Sequence, residues 1–139
     1  MGSRRAAVLT PNTQTQELIL IVEDDPDIGL LLLTALQQET PYDALLVSDG
    51  EAALRLIAMH KPHLVIVDYQ LPGMNGLDLA DRIHTMEGLE QVPLLFISAN
   101  LPRTELARRH LPGLSKPFEL ETLLTVIRHL LSFQVVTEY

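Results

Sequence analysis

The sequence contains no cysteine, and aromatic residues make up only 4% of its 139 residues. Without cysteine, disulfides, thiolate chemistry and cysteine-ligated zinc sites are excluded. With so few aromatic residues, a core must be built mainly from the aliphatic side chains that bring the apolar fraction to 47%. A chain of this length and composition is sufficient for one domain with a substantial core.

Basic residues are also scarce, because 10 Lys and Arg face 18 Asp and Glu, for a formal net charge of −8. This balance argues against direct nucleic-acid binding, which needs a basic surface, and it suits a protein that binds a cation. Long apolar runs are absent as well, so we expect no membrane association. The apolar segment after Arg5 covers only 6–9, too short for a signal peptide, and we expect a cytoplasmic protein.

Short apolar runs alternate with segments of helical periodicity. The runs predict strands at 18–22, 44–47, 64–67, 94–97 and 114–115, the last being short. Helices are predicted from about Pro26 to Glu39, after a capping box at 48–51, after Asn75 with Asp78, and around 120–131. Only a short fourth helix fits between 102 and 112. We predict a flexible leader at 1–16, the domain at 17–132, and a tail or truncated linker at 133–139.

This alternation predicts an α/β fold with right-handed βαβ units and a parallel, doubly wound sheet. The most informative residue is Asp68, which ends the buried run 64–67 and precedes the loop 71–76, Leu-Pro-Gly-Met-Asn-Gly. A carboxylate at the carboxyl end of such a strand lies where open α/β sheets bind ligands. Because a buried carboxylate is costly without a partner, Asp68 needs a cation nearby.

Other strand ends supply candidate partners. Glu23 and Asp24 follow the first strand, Ser98 closes the fourth, and Lys116 follows the fifth. Carboxylates held close together repel one another, and a divalent cation relieves that repulsion. Oxygen ligands without His or Cys favour Mg²⁺. A carboxylate nucleophile, a metal and a lysine are what phosphoryl transfer needs.

Taken in order, these elements resemble the receiver domains of bacterial two-component response regulators, over roughly 18–131. The motifs are Glu23-Asp24, Asp68 with 71–76, Ser98-Ala99 and Lys116-Pro117-Phe118. The resemblance implies a flavodoxin-like (βα)5 fold with strand order 2-1-3-4-5 and helices on both faces. It further implies a phosphorelay module that receives a phosphoryl group on its aspartate from a sensor histidine kinase or phosphotransfer protein. We expect a monomer or weak dimer.

The resemblance also assigns roles. Asp68 accepts the phosphoryl group, Asp24 binds Mg²⁺ directly, and Glu23 binds it largely through water. The Gln70 backbone carbonyl is a further ligand, Ser98 bonds a phosphoryl oxygen, and Lys116 pairs with it; the Lys116-Pro117 bond is cis. Among three consecutive acids, Glu23 and Asp24 are chosen as the metal pair because they follow the strand directly, which leaves Asp25 to the helix start.

Two departures from the family concern signal output. The family usually carries Tyr or Phe three residues before the lysine, where this chain has Gly113, and the segment from Ser98 to Lys116 is about one helical turn shorter. Family members usually give their output through the surface of helix 4, strand 5 and helix 5, and both departures fall within or beside that surface. We hypothesise that output travels by rearrangement of the loop 99–113 or through another face.

Three functions compete at this point. The first is the phosphoacceptor module, which is not an enzyme in the ordinary sense although it assists its own phosphoryl transfer and hydrolysis. The second is a receiver-like interaction module that needs no phosphorylation. The third is a haloacid-dehalogenase-type phosphatase, which needs a second Asp where this chain has Gln70.

The apolar run 30–33 indicates either a partner surface or deep burial. No two of the five histidines have metal-binding spacing, so we expect surface or capping roles.

Overall fold

The computed structural model describes residues 17–136, with side chains through 131; the predicted leader and the last three residues lie outside this range. The strands are β1 (Leu18–Val22), β2 (Asp43–Val47), β3 (Leu64–Asp68), β4 (Gln70–Leu71), β5 (Met74–Asn75), β6 (Leu94–Ser98) and β7 (Gly113–Ser115). The helices are α1 (Pro26–Glu39), α2 (Gly50–Met59), α3 (Gly76–His84), α4 (Arg103–Arg108) and α5 (Leu120–Val136). None of these helices is long and apolar enough to cross a membrane.

The main sheet has five parallel strands in the order β2-β1-β3-β6-β7. This confirms the doubly wound fold and the predicted order. The central strand β3 is buried along its whole length, since helices cover both faces of the sheet. One core layer joins the sheet to α1 and α5, and the other joins it to α2, α3 and α4.

Strand register determines what meets at the carboxyl edge of the sheet. Val22 at the end of β1 pairs with Val67 of β3, which places Glu23 beside Asp68. Across the next two ladders Asp68 pairs with Ile97, and Ser98 pairs with Ser115. The chain segments that carry the predicted site residues therefore converge on one edge.

Helix caps confirm two of the predicted starts and correct the third. The Asp25 carboxylate accepts hydrogen bonds from the first-turn amides of α1, and the Asn75 side chain accepts from the Asp78 amide at 2.9 Å. The predicted capping box starting at Ser48 is wrong: Asp49 caps α2, with its carboxylate 2.8 Å from the Ala52 amide nitrogen. The negative charge of Asp49 suits the positive helix end, and Asp is among the strongest capping residues.

Several boundaries differ from the sequence prediction. The hairpin of β4 and β5 was not predicted, because each of its strands has only two residues and no periodicity marks them. The fourth helix is short, as expected, with six residues. The last helix continues to Val136, so the predicted tail lies partly within it and otherwise outside the described residues.

The apolar run in α1 is not deeply buried throughout. Leu30 and Leu31 are each 60% exposed, whereas Leu32 and Leu36 lie in the core. The deep-burial alternative is therefore wrong for the first two leucines.

Two histidines have structural partners: the His63 ring accepts the Leu18 amide N–H at 3.1 Å, and the His84 ring lies 3.0 Å from the Val92 carbonyl oxygen.

Candidate active site

The carboxylate of Asp68 lies at the carboxyl edge of the sheet, with the residue only 6% exposed. The preceding residues of β3 are fully buried aliphatics, which hold the strand in the centre of the sheet and carry the aspartate to its rim. Oδ1 of Asp68 accepts a hydrogen bond from the Gln70 backbone amide at 3.0 Å. This bond comes from the turn after the strand and holds the carboxylate in place.

Lys116 bridges two acidic side chains. Its ammonium Nζ lies 2.9 Å from Asp68 Oδ2 and 3.0 Å from Glu23 Oε1, and its side chain is 17% exposed. The Lys116 amide donates to the Ser98 carbonyl at 2.9 Å, which continues the β6–β7 ladder beyond Ser115. The following peptide bond to Pro117 is cis, as the family resemblance implied. Lys116 therefore supplies the cation that the buried position of Asp68 requires.

Glu23 is almost completely buried, at 2% exposure, and both of its oxygens have donors. Oε1 accepts from Lys116, and Oε2 accepts from the Asp25 backbone amide at 3.1 Å. Asp25 itself caps α1, as predicted, so its carboxylate is engaged in the helix start. Among the described side chains, no buried nitrogen or oxygen lacks a hydrogen-bond partner.

The pKa values of the site show how the charges oppose one another. Burial raises the pKa of Glu23 above its usual 4.5, and nearby Asp68 adds to the rise, although Lys116 and the Asp25 amide partly offset it. Burial alone would lower the pKa of Lys116, but its hydrogen bonds to Asp68 and Glu23 outweigh that effect and raise it. The site holds more negative charge than one lysine compensates.

The acidic group has the composition of a magnesium site. One carboxylate oxygen from each of Glu23, Asp24 and Asp68 lies within 4.8 Å of the others. Asp24 is exposed, whereas the other two are buried, so the cluster opens to solvent on the Asp24 side. Hard oxygen donors with access to water suit Mg²⁺, which keeps several waters and takes one or two carboxylates. The residues present therefore fit the predicted ion, and the Gln70 carbonyl stays a predicted ligand.

Ser98 is fully buried at the end of β6, one residue beyond the partner of Asp68 in the β3–β6 ladder. Its hydroxyl oxygen accepts the Asn100 backbone N–H at 3.1 Å. Sequence reasoning missed two features nearby: Arg103 Nη2 donates to Ser115 Oγ, and the side chains of Leu101 and Leu106 lie where they would contact a Cβ atom added at the exposed Gly113. Neither feature has a periodicity or motif that would reveal it.

The raised pKa of Glu23 leads to a prediction for Glu23→Gln. A carboxyl whose pKa is higher in the folded than in the unfolded protein reduces stability as pH rises from about 4.5 through the raised value. The neutral amide avoids the cost of burying this charge, and its one oxygen still accepts from either Lys116 or the Asp25 amide. We expect Glu23→Gln to increase the free energy of unfolding at pH 7 in EDTA, measured by urea denaturation.

Added Mg²⁺ should favour the unmodified protein over Glu23→Gln. The substitution removes one carboxylate of the acidic group, so Mg²⁺ should stabilise Glu23→Gln less than it stabilises the unmodified protein. Glu87→Gln, at an exposed position, is the matched control and should leave both measurements unchanged. If Glu23→Gln were less stable than the unmodified protein in EDTA, the burial of charge at this position would not be the dominant effect.

Comparison with known proteins places the chain by sequence. A family model described as the response regulator receiver domain matches residues 19–128. The DNA-binding response regulator MtrA of Mycolicibacterium smegmatis is 30% identical over 117 residues, which cover 81% of this chain and 50% of that protein. This chain therefore spans about half the length of that curated relative.

Solved structures have the same fold. The non-phosphorylated receiver domain of HemR from Leptospira biflexa matches with a TM-score of 0.74 and 30% identity, covering 84% of this chain and 95% of that one. The receiver domain of the sensor histidine kinase PA1611 from Pseudomonas aeruginosa matches with a TM-score of 0.75 and 25% identity, over 84% and 98% of the two chains. That structure has a magnesium ion coordinated in its active-site cleft.

Proposed function

The chain belongs to the family of response regulator receiver domains, and from this membership we propose that Asp68 accepts a phosphoryl group from a phosphohistidine. The donor is a sensor histidine kinase or a phosphotransfer protein of a two-component system. One observation carries the proposal: the buried Asp68 carboxylate is held by Lys116 and the Gln70 amide inside a group of three carboxylates.

The reaction needs little covalent chemistry from the protein. A carboxylate oxygen of Asp68 attacks the phosphorus, the P–N bond to the donor imidazole breaks, and its electron pair stays with the imidazole nitrogen, which takes up a proton. Mg²⁺, when bound, neutralises charge on the phosphoryl oxygens and helps to align them. Glu23 and Asp24 are the residues that would hold this ion beside the acceptor.

Lys116 and Ser98 would act on the phosphoryl oxygens. The Lys116 ammonium already contacts the acceptor carboxylate at 2.9 Å, so it needs only a small movement to pair with a phosphoryl oxygen bound there. The Ser98 hydroxyl can donate a hydrogen bond to another oxygen of the phosphoryl group. With these groups the domain assists its own phosphorylation and the later hydrolysis of the acyl phosphate, without turning over a separate substrate.

Acetyl phosphate tests the proposal without knowledge of the natural donor. The protein is incubated with acetyl phosphate and Mg²⁺, and its intact mass is measured over time. We expect a mass gain of one phosphoryl group that is suppressed by EDTA and lost slowly after the donor is removed. No mass gain with acetyl phosphate, phosphoramidate or a panel of phosphorylated histidine kinases would contradict the proposal.

A phosphorylation-independent interaction module is the second candidate. It is favoured by the site of Gly113, where two leucine side chains lie in place of a family aromatic residue, and by the exposed Leu30 and Leu31 of α1. Such a module would bind its partner equally with and without acetyl phosphate. The mass measurement separates the candidates, because only the first requires a stable phosphoryl adduct.

A further inference from the structure

Gly76 is the first residue of α3, and it is buried against the end of β3. A Cβ atom built at this position would lie 3.0 Å from Tyr69 Cα and 3.1 Å from the Asp68 carbonyl oxygen. It would also lie 3.0 Å from Phe96 Cε2, an atom of a fully buried ring. Gly76 does not have a positive φ, so the close approach of α3 to the backbone of the acceptor strand, rather than strain, accounts for glycine here.

The backbone that Gly76 contacts is held from two sides. The Tyr69 N–H donates to the Ile97 carbonyl of β6 at 3.0 Å, and the Tyr69 carbonyl accepts the Gly76 N–H at 2.7 Å. The residue before the glycine, Asn75, pairs with Gln70 in the β4–β5 hairpin. The turn that follows Asp68 is therefore fixed between β6 and the start of α3.

A methyl group at position 76 would meet two backbone atoms and a buried ring, none of which can turn aside as a flexible side chain can. If the end of β3 gives way, the Asp68 carboxylate moves with its backbone, and its 2.9 Å contact with Lys116 changes. If the start of α3 gives way, the hairpin moves Gln70, whose amide holds Asp68 Oδ1 and whose carbonyl is a predicted Mg²⁺ ligand. Either movement disturbs the acceptor.

We propose that Gly76 is a positioning residue for the phosphoacceptor. Its contact with the backbone of Asp68 and Tyr69 sets the position of the acceptor carboxylate and of Gln70, and thereby the affinity of the acidic group for Mg²⁺. The role rests on the proposed function, because it concerns the same site. Small shifts matter, since reacting groups must be held within about 0.5 Å of the productive geometry.

Gly50→Ala is the matched control for Gly76→Ala. Gly50 is likewise a buried first residue of a helix, in this case α2, and its Cβ would approach Met74 Sδ to 2.7 Å. That approach is closer than any at Gly76, but the sulfur belongs to a flexible side chain that can move without shifting a backbone. Both variants therefore crowd the start of a helix, and only Gly76→Ala crowds the acceptor strand.

The first measurement is a calorimetric titration with Mg²⁺ alone, in the absence of any phosphoryl donor. We expect Gly76→Ala to raise the Mg²⁺ dissociation constant roughly tenfold, the size of effect usual for residues that orient metal ligands. Gly50→Ala should bind Mg²⁺ as the unmodified protein does. Unchanged affinity in Gly76→Ala, or the same loss of affinity in both variants, would overturn the positioning role.

A second variant keeps the test decisive if Gly76→Ala folds poorly. Phe96→Leu removes the ring atom that the added methyl group would meet and leaves both backbone contacts in place. We expect Gly76→Ala combined with Phe96→Leu to bind Mg²⁺ as weakly as Gly76→Ala, whereas Phe96→Leu alone should bind it normally. Normal Mg²⁺ affinity in the combined variant would show that the ring, not the acceptor backbone, transmits the effect, and would overturn the proposal.

Phosphoryl uptake from acetyl phosphate separates this role from the proposed function. At saturating Mg²⁺, uptake should stay slower in Gly76→Ala than in Gly50→Ala, because the acceptor carboxylate is itself displaced. If the unmodified protein takes no phosphoryl group but Mg²⁺ affinity depends on residue 76 as expected, the positioning role stands and the proposed function fails. If both glycine variants take up phosphoryl groups and bind Mg²⁺ normally, the positioning role is wrong and the proposed function stands.

Discussion

Asp68→Asn should abolish phosphoryl uptake from acetyl phosphate, leaving the intact mass unchanged after prolonged incubation with Mg²⁺. The amide has nearly the same shape as the carboxylate, and its one oxygen can still accept from either the Gln70 amide or Lys116, so the fold should be retained. It lacks the anionic oxygen that attacks phosphorus. The expected effect is therefore complete loss of the reaction with little change in the circular dichroism spectrum.

Two further aspartates serve as comparisons for this result. Asp24→Asn should slow uptake and raise the Mg²⁺ concentration required, because Asp24 belongs to the acidic group but is not the proposed nucleophile. Asp43→Asn, on the exposed start of β2, should behave as the unmodified protein. A mass gain of normal size and rate in Asp68→Asn would show that another residue accepts the phosphoryl group.

Lys116→Met should cause the largest loss of stability among the site variants. The substitution keeps the length of the side chain but leaves two buried carboxylates, Glu23 and Asp68, without their shared cation. Removing one partner from buried charges costs about 3 kcal/mol. We expect a fall of that order in the free energy of unfolding at pH 7 in EDTA, and slower phosphoryl uptake in Mg²⁺.

Control measurements identify the cause of that loss. Lys61→Met, at an exposed position, should have almost no effect. Mg²⁺ should recover part of the stability of Lys116→Met, because a divalent cation supplies positive charge to the same carboxylates. If Mg²⁺ left the deficit unchanged, lost packing rather than lost charge would explain it.

The pKa of Lys116 predicts how the stability difference between the unmodified protein and Lys116→Met depends on pH. That pKa is raised in the folded protein, so the stability that the ion pairs contribute is fully present below the ordinary lysine value of 10.5. It is lost as pH rises through the raised value. The stability gap between the unmodified protein and Lys116→Met should therefore persist at neutral pH and narrow only in strongly alkaline solution.

Much of the site was predictable because parallel strands bring their carboxyl ends to one edge of a sheet. A buried aliphatic run ending in Asp68 predicts where that carboxylate lies, and the ends of β1 and β7 predict the positions of Glu23 and Lys116. The choice of Glu23 and Asp24 over Asp25 also followed from position: the first two residues after the strand stay at its edge, whereas Asp25 caps α1.

Other features depend on tertiary packing that no local pattern encodes. The observed start of α2 differs by one residue from the predicted start, because Ser48 and Asp49 are both good capping residues. The residue that caps the helix depends on where β2 ends and the chain turns into the helix. The sequence showed that Gly113 departs from the family, but not that Leu101 and Leu106 lie close enough to contact a Cβ atom at this exposed position. Side chains distant in sequence from the glycine decide that contact, so only the folded chain reveals it.

The most direct test of the central claim is to locate the phosphoryl group chemically. The protein is treated with acetyl phosphate and Mg²⁺, reduced with borohydride, which converts an aspartyl phosphate to homoserine, and digested for peptide sequencing by mass spectrometry. We expect homoserine at position 68 in the unmodified protein, dependent on both the donor and Mg²⁺. Homoserine at another aspartate, the corresponding five-carbon alcohol at a glutamate, or a stable phosphoryl group on Ser98 or a histidine would contradict the assignment of Asp68 as the acceptor.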